Sequence, residues 1–297
     1  MKKFTVITIC LNSERDIEKT ILSVLHQSST DFEYIVKDGQ STDQTVAIAE
    51  SFAPAFAKRG ISYSVLSQKD AGIYDAMNQA IQQSKGEWLL FMNAGDRFAM
   101  NDVLSLVKLS GYLETAEIVY GDAIYMDGSL YCYRKVRPLN EFYFTMPFCH
   151  QSTFTKRNLF GQECFSTQYR IASDYAFHLR MYAEGKKHEY IPAAFSVSSP
   201  NGISATQWRR SLQERIQIYE SMPERNEEAI AEARAKLEKK EKRAYRQLII
   251  KLLPAGITRK IRERNKRKAG WTTEKRIEDL NAGYFMEAMR SFQHRQE

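Results

Sequence analysis

Several absences narrow the reading of this chain. No stretch approaches the ~20 consecutive apolar residues that cross a bilayer, so no spanning segment is expected. Met1-Lys2-Lys3-Phe4 runs straight into a strand pattern with no small-residue cleavage site behind it, so no signal peptide is expected either. Cysteine is sparse. Cys10, Cys132, Cys149 and Cys164 show no metal-type pairing, and Cys10 sits in an apolar strand. That usage suits a reduced, cytosolic chain. Nothing repeats internally.

What is present is enough for a sizeable core. The 297 residues are 43% hydrophobic and 12% aromatic, room for one large domain and an appendage. The formal charge of +7 is unevenly spread. Residues 206–297 carry 23 Lys and Arg against 14 Asp and Glu, whereas residues 1–205 carry 20 against 22. A near-neutral domain over 1–205 is therefore expected to precede a basic extension over 206–297. Between Lys242 and Lys268 there are 11 basic residues and one acid, Glu263. Such asymmetry points to an anionic surface as partner.

The first hundred residues alternate strand and helix patterns. Strands are predicted over 4–10, 32–36, 61–66 and 87–92, with helices opening at Ser13-Glu14, at an Asp43 N-cap and at Ile73. This order implies a largely parallel, buried sheet. Shorter strands follow at 117–121, 123–126 and 130–134, the last two joined by the hairpin signal Asp127-Gly128. A helix over 173–184 and strand-like pieces at 188–191 and 195–198 complete a mixed second half, and 199–204 reads as a flexible loop. From Gln207 the pattern is helical. Ser221-Met222-Pro223-Glu224 resembles a capping box, and Leu248 to Leu253 sets an apolar stripe among cations, the composition of an interfacial membrane helix. A last amphipathic helix is predicted from Trp271 to Phe292.

Three strand-to-helix junctions carry acids at one edge of this sheet: Asp38-Gly39-Gln40-Ser41-Thr42-Asp43, Asp70-Ala71-Gly72-Ile73, and Asn93-Ala94-Gly95-Asp96 behind an apolar strand. Open α/β sheets hold their ligands at that edge. Taken with Val6-Ile7-Thr8-Ile9-Cys10-Leu11-Asn12-Ser13-Glu14, with Cys149-His150-Gln151-Ser152-Thr153-Phe154 and with Ile171-Ala172-Ser173-Asp174-Tyr175, these segments resemble the inverting family 2 glycosyltransferases that build bacterial surface polysaccharides of the colanic-acid type. The resemblance covers roughly the first two thirds of the chain. It implies a GT-A fold, a Rossmann-like mixed sheet flanked by helices, here with a C-terminal helical extension.

The resemblance also distributes roles. Asp96 becomes the ligand of a divalent cation, Mn²⁺ or Mg²⁺, in a motif whose first Asp is replaced here by Asn93, a neutral and weaker donor. Asp174 becomes the general base, although an acid at a helix start also serves as an N-cap. Asp38 falls where the base of a nucleotide-diphosphate sugar, a UDP-sugar first, would sit. Thr8, Leu11 and Asn12 would form the opposite wall, with Glu14 near the ribose. Ala94 and Gly95 belong to the same nucleotide-sugar set. Asp70 reads equally as a nucleoside contact or a turn residue. His150 and Gln151 would lie on the donor side, against a bland reading of His150 as a core residue between Phe148 and Phe154. No role falls to His26, His178, His188 or His294, and Cys149 reads as packing. The implied acceptor is a saccharide, lipid-linked, reached by a protein peripheral to the inner face of the cytoplasmic membrane.

Two other readings compete. A nucleotidyltransferase making sugar nucleotides shares a similar sheet but needs a glycine-rich basic loop after the first strand, and Leu11 to Arg15 is not one. A nucleic-acid-binding protein would use the basic tail, yet the first half lacks interleaved aromatic and basic residues, so no nucleic acid is expected.

Overall fold

The computed structural model describes residues 3–161, 165–222, 226–250, 264–272, 279–281 and 283–284, with only the backbone described over 243–250. Cys164, part of the predicted capping box, the Leu248–Leu253 stripe and most of the segment 271–292 lie outside the described side chains.

The nine strands among the described residues form one sheet. Its first half is parallel: β1 (Phe4–Cys10) pairs β2 (Phe32–Asp38) on one side and β4 (Trp88–Phe91) on the other, and β2 pairs β3 (Ser62–Ser67). Helices α1 (Ile17–Leu25), α2 (Thr45–Ser51), α3 (Ala53–Lys58) and α4 (Ile73–Gln83) make the crossovers. β1 and β2 are buried along their whole length, as strands covered on both faces must be. The helix expected to run from Asp43 to Phe52 continues as α3, re-entered at Phe52 with Pro54 in the first turn, where a missing N–H costs nothing.

The second half is mixed. β4 meets β8 (Thr153–Lys156) antiparallel, β8 meets β6 (Ile118–Asp127) antiparallel, and β6 runs parallel to β9 (His188–Ser198). β5 (Arg97–Phe98) closes the far edge against β9, and β7 (Leu130–Arg134) forms the hairpin with β6. The breaks predicted inside β6 and β9 are one β-bulge. Register shifts on both sides of Asp122, opposite the stretch holding Pro192, leave both strands continuous while breaking their alternation. Gly121 is required there, since a Cβ would lie 2.6 Å from the Ala193 carbonyl and 2.8 Å from the Phe195 ring.

β5, β8 and the helices α5 (Val103–Leu109) and α6 (Tyr112–Thr115) were not signalled by pattern. His150 to Ser152 forms a 3₁₀ turn before β8.

After α7 (Ser173–Ala183) and the single turn α8 (Ile203–Thr206) come α9 (Trp208–Ser221) and α10 (Glu227–Ile250). These last helices fall within the basic extension, yet they do not stand apart from the domain. Ile218, Tyr219, Ala229, Ile230 and Ala233 pack with Phe142, Phe148 and Tyr175 in one buried cluster. Packing thus crosses the division expected after residue 205. None of the described helices is long and apolar enough to cross a membrane.

Candidate active site

The strand order reverses between β1 and β4, and the main cleft, about 880 Å³, opens beyond the carboxyl ends of these two strands. Residues 93–96 form its floor. They run on from β4 along β1, with Met92 N donating to Ile7 O at 2.8 Å and Ala94 N to Ile9 O at 3.1 Å. Gly95 turns the loop at φ +100°, a value that side-chain-bearing residues rarely adopt. The Thr20 hydroxyl then clasps it, accepting from Gly95 N at 2.9 Å and donating to Asp96 O at 2.7 Å. Thr20 sits among the apolar residues of α1, fully buried, and that placement was its only signal in the sequence.

Asp96 and Asn93 stand out on this floor, for different reasons. Burial pushes the Asp96 carboxyl up to about 7, against the pull of the Ser198 hydroxyl and the Lys19 ammonium. Asn93 Oδ1 is buried without a hydrogen-bond partner. An orphaned oxygen beside a desolvated carboxylate is the donor chemistry that a hard divalent cation takes when substrate phosphates supply its remaining ligands. Among the described residues no group of three or more acidic, His or Cys side chains could hold a metal by itself. The residues fit a cation shared with substrate, and do not fit a cage made by protein alone.

Asp174 enters from the first turn of α7 and lines the same cleft. Its Oδ1 accepts from Tyr175 N at 2.8 Å and lies 2.8 Å from the Tyr74 hydroxyl, which is also 2.7 Å from Ile171 O. Among the described residues these contacts fall on one carboxylate oxygen, Oδ1. The turn before Asp174 is held from α9. Glu214 accepts from Arg170 N at 3.0 Å, Ile171 N at 2.8 Å and Ala172 N at 3.0 Å, while Arg210 Nε donates to it at 2.8 Å. Burial opposes charge on Glu214, but these donors hold its carboxyl below the usual range. Further along α9, the Tyr219 hydroxyl meets the Tyr175 hydroxyl of α7 at 2.8 Å.

Leu11, Asp70, Ala94, Gly95, His150 and Gln151 also line the cleft. Asp70 is fixed at its rim by buried Lys37, whose Nζ lies 2.9 Å from Oδ2. Four other candidates are turned away from the cleft. Thr8 is fully buried, donating to Met92 O at 2.6 Å. Asn12 Oδ1 accepts from Thr42 N at 2.9 Å, and Glu14 accepts from Gln44 N at 3.1 Å, so both tie one strand-end loop to its neighbour. Asp38 is 0% exposed, its carboxylate occupied by Ser41 N at 2.9 Å, Ser41 Oγ at 2.5 Å and Ser67 Oγ at 2.7 Å. Burial alone would raise its pKa, but these donors bring it below the usual carboxylate value.

His150 stacks on Phe91 at 5.1 Å, and both ring nitrogens are buried without partners. Burial lowers its pKa, opposed by the nearby Asp174 charge, so the ring is neutral at pH 7. Cys149 lies alongside, its thiol 3.1 Å from Gln151 Oε1 and pushed up to about 11 by burial and then by Asp96. A thiol so disposed is no nucleophile. The last wall comes from far along the chain: Thr272 pairs with Tyr131 by two backbone hydrogen bonds of 2.7 and 2.8 Å, and this sets Trp271 against the cleft. Arg134, at the end of β7, lines it too.

The floor at Asn93–Asp96 and the Asp174 carboxylate thus share one cleft at a switch point of the sheet. The sequence profile described as Glycosyl transferase family 2 matches residues 5–185, which span both. The chain belongs to glycosyltransferase family 2. A PGL/p-HBAD biosynthesis glycosyltransferase of Mycobacterium bovis is 34% identical over 182 residues, 61% of this chain and 70% of that protein. The poly(ribitol-phosphate) beta-N-acetylglucosaminyltransferase TarS of Staphylococcus aureus is 36% identical over 98 residues, 32% of this chain and 17% of its own. Among solved structures, the mannosyltransferase PcManGT from Pyrobaculum calidifontis, in complex with GDP-Man and Mn²⁺, covers 99% of this chain and 88% of its own at a TM-score of 0.59 and 18% identity. TarS 1–349 in complex with UDP covers 74% and 66% at 0.57 and 20%. At such identities the likeness concerns the fold, and that fold is the GT-A arrangement of a mixed sheet flanked by helices.

Proposed function

We propose that this family 2 enzyme transfers a sugar, with inversion, from a nucleotide-diphosphate sugar to a saccharide hydroxyl. The observation that carries the reading is the pairing, in one cleft, of a floor where Asn93 Oδ1 is buried without a partner and burial raises the Asp96 carboxyl with the Asp174 carboxylate, whose contacts among the described residues fall on Oδ1. A cleft of about 880 Å³ is within the range that encloses a ligand of this size. Asp96 and Asn93 would hold a divalent cation together with the donor diphosphate; when bound, that cation neutralises charge on the leaving group. Asp174 takes the proton of the acceptor hydroxyl as it attacks the anomeric carbon, and the Tyr74 hydroxyl and Glu214 keep it pointed at the cleft. Leu11 and Asp70 border the nucleoside end, with Ala94 and Gly95 presenting backbone to the diphosphate. His150, neutral, and Gln151 complete the donor side.

The donor is proposed to be a UDP-sugar, in line with the TarS structures solved with UDP and UDP-GlcNAc. The acceptor is proposed to be lipid-linked and the basic extension to dock at the inner face of the cytoplasmic membrane, since each juxtamembrane cation contributes about 1 kcal/mol near an anionic surface. Two measurements test these readings. A panel of UDP- and GDP-sugars with Mn²⁺, scored by hydrolysis and thermal shift, should select a uridine nucleotide; selection of a GDP-sugar would overturn the base assignment. Full-length protein should sediment with phosphatidylserine vesicles at low salt and partly elute at high salt, and no sedimentation would remove the membrane from the account.

A further inference from the structure

Trp271 is half-buried and lines the cleft, although it lies well beyond residues 5–185, where the family profile matches. The chain fixes it from both sides. A short helical turn over 264–268 is closed by Gly270, whose φ of +84° is the left-handed conformation that ends such turns. Gly270 N donates to Arg267 O at 3.1 Å and Trp271 N to Lys266 O at 3.1 Å. These are the paired bonds of a Schellman ending, and they set the direction in which Trp271 leaves the turn. The Lys266 side chain lies against the indole, its Nζ 5.5 Å from the ring centre, and is itself ion-paired with Asp127 at the end of β6. On the other side Thr272 is bridged to Tyr131 of β7.

Core packing does not account for this placement. Trp88, a core indole, is 0% exposed, whereas Trp271 is only half-buried and reaches the cleft. A flat apolar face held rigidly in a ligand cleft is a platform. A pyranose ring offers the matching surface. Its hydroxyls lie around the edge, while its axial C–H bonds turn their positive ends toward the negative face of an aromatic ring. Stacked in this way, the sugar withdraws apolar area from water and keeps its edge hydroxyls open to a base. An open-chain polyol has no such fixed face. The groups assigned to the donor nucleotide, Leu11, Asp70 and Asn93–Asp96, come from the first half of the sheet. Trp271 is carried by the β6–β7 hairpin of the second half, the half that also supplies Asp174 through α7.

We infer that Trp271 is the platform on which the ring of the acceptor saccharide stacks, so that this enzyme selects a pyranose acceptor over an open-chain polyol. This rests on the transferase reading, because Asp174 as base marks where the acceptor must lie. Trp271 contributes affinity and orients the ring; it takes no proton.

The test uses the full chain saturated with UDP and Mn²⁺, titrated with methyl β-glucopyranoside, methyl β-galactopyranoside, methyl α-mannopyranoside and ribitol. Tryptophan emission should shift with at least one pyranoside and not with ribitol. Trp271→Phe should abolish the shift while Trp88 and Trp208 still emit. By NMR titration, Trp271→Phe should bind that pyranoside within a few-fold of wild type, since a flat ring is retained. Trp271→Ala should weaken the binding about tenfold, with UDP affinity kept. Thr272→Pro keeps the indole but loses the bond from Thr272 N to Tyr131 O, and should weaken pyranoside binding as well. No shift with any pyranoside, a shift that survives Trp271→Phe, equal binding by Trp271→Ala, or ribitol binding as tightly as the pyranosides would each overturn the inference. So would a loss of UDP affinity in Trp271→Ala, which would put Trp271 on the nucleotide. Failure of UDP to bind wild-type protein would strike the transferase reading instead, and a Trp271-dependent shift with a pyranoside would then keep the platform as a sugar site.

Discussion

The corner after β2 and the corner after β4 look alike as sequence, each an apolar strand ending in small polar residues and Asp. In the folded chain they are opposites. Asp38 is saturated by Ser41 and Ser67, and its pKa is lowered. Asp96 is desolvated beside the orphaned oxygen of Asn93, and burial raises it to about 7. One carboxylate belongs to the scaffold and the other is held in an unfavourable state. Both have donors; at Asp38 they outweigh desolvation, and at Asp96 desolvation outweighs them.

The largest effect should come from the unsatisfied corner. Asp96→Ala is expected to lower transfer by at least a thousandfold and to remove metal-dependent tightening of UDP binding; full activity of this variant in EDTA would erase the contrast. Asp174→Asn keeps shape and loses basicity, so kcat should fall by about two to four orders of magnitude with donor affinity retained. A large loss of UDP binding instead would move Asp174 to the nucleotide. Asp38→Asn tests the satisfied corner. It should depress the melting temperature, about 2–4 °C for each kcal/mol lost, and leave UDP affinity within a few-fold at permissive temperature. A selective loss of UDP binding would return Asp38 to the cleft.

The smallest effect is on pH, and here the signs differ. Burial lowers the pKa values of His150, His178 and His188 in the folded chain, with charges and a Lys186 carbonyl as secondary influences. Below about 6.5 the unfolded chain therefore binds more protons at these sites than the folded one, and stability is lost as pH falls from there. Asp96, raised above its unfolded value, works the other way: the folded state is relieved as pH falls from about 7 toward 4. Melting temperature should fall between pH 7 and pH 5 overall. Asp96→Asn should melt higher than wild type at pH 8 and decline more steeply below pH 7. Parallel curves would show that Asp96 is not held at a cost.

Much of this was legible before the fold was known, and the limits have physical causes. The parallel half was readable because buried strands and amphipathic helices announce themselves by period, and the crossover lengths fix their order. The mixed half was not. A bulge at Asp122 and Pro192 broke two strands into four pieces, and β5 is too short for any period. In the site, acids at strand and helix ends are visible locally, but the roles proposed for Asn93, Asp96 and Asp174 came from the family resemblance. Whether Asp38, Asn12 or Glu14 faces the cleft depends on Ser67, Thr42 and Gln44, which local sequence does not bring near. Glu214, Arg134 and Trp271 were missed for the same reason. The division after residue 205 tracks charge faithfully, yet Glu214 and Tyr219 lie beyond it and support Asp174.

The position of Trp271 sets a schedule. The floor at Asn93–Asp96 and the base at Asp174 leave the ribosome first, and Trp271 follows Asp174 by roughly a hundred residues, about 5–20 s of synthesis at ordinary elongation rates. Until Thr272 reaches Tyr131, the cleft has its charged groups and lacks a wall. A nascent chain in that interval could meet a nucleotide without enclosing it. The order in which this protein is made therefore keeps its cleft open until the last wall arrives.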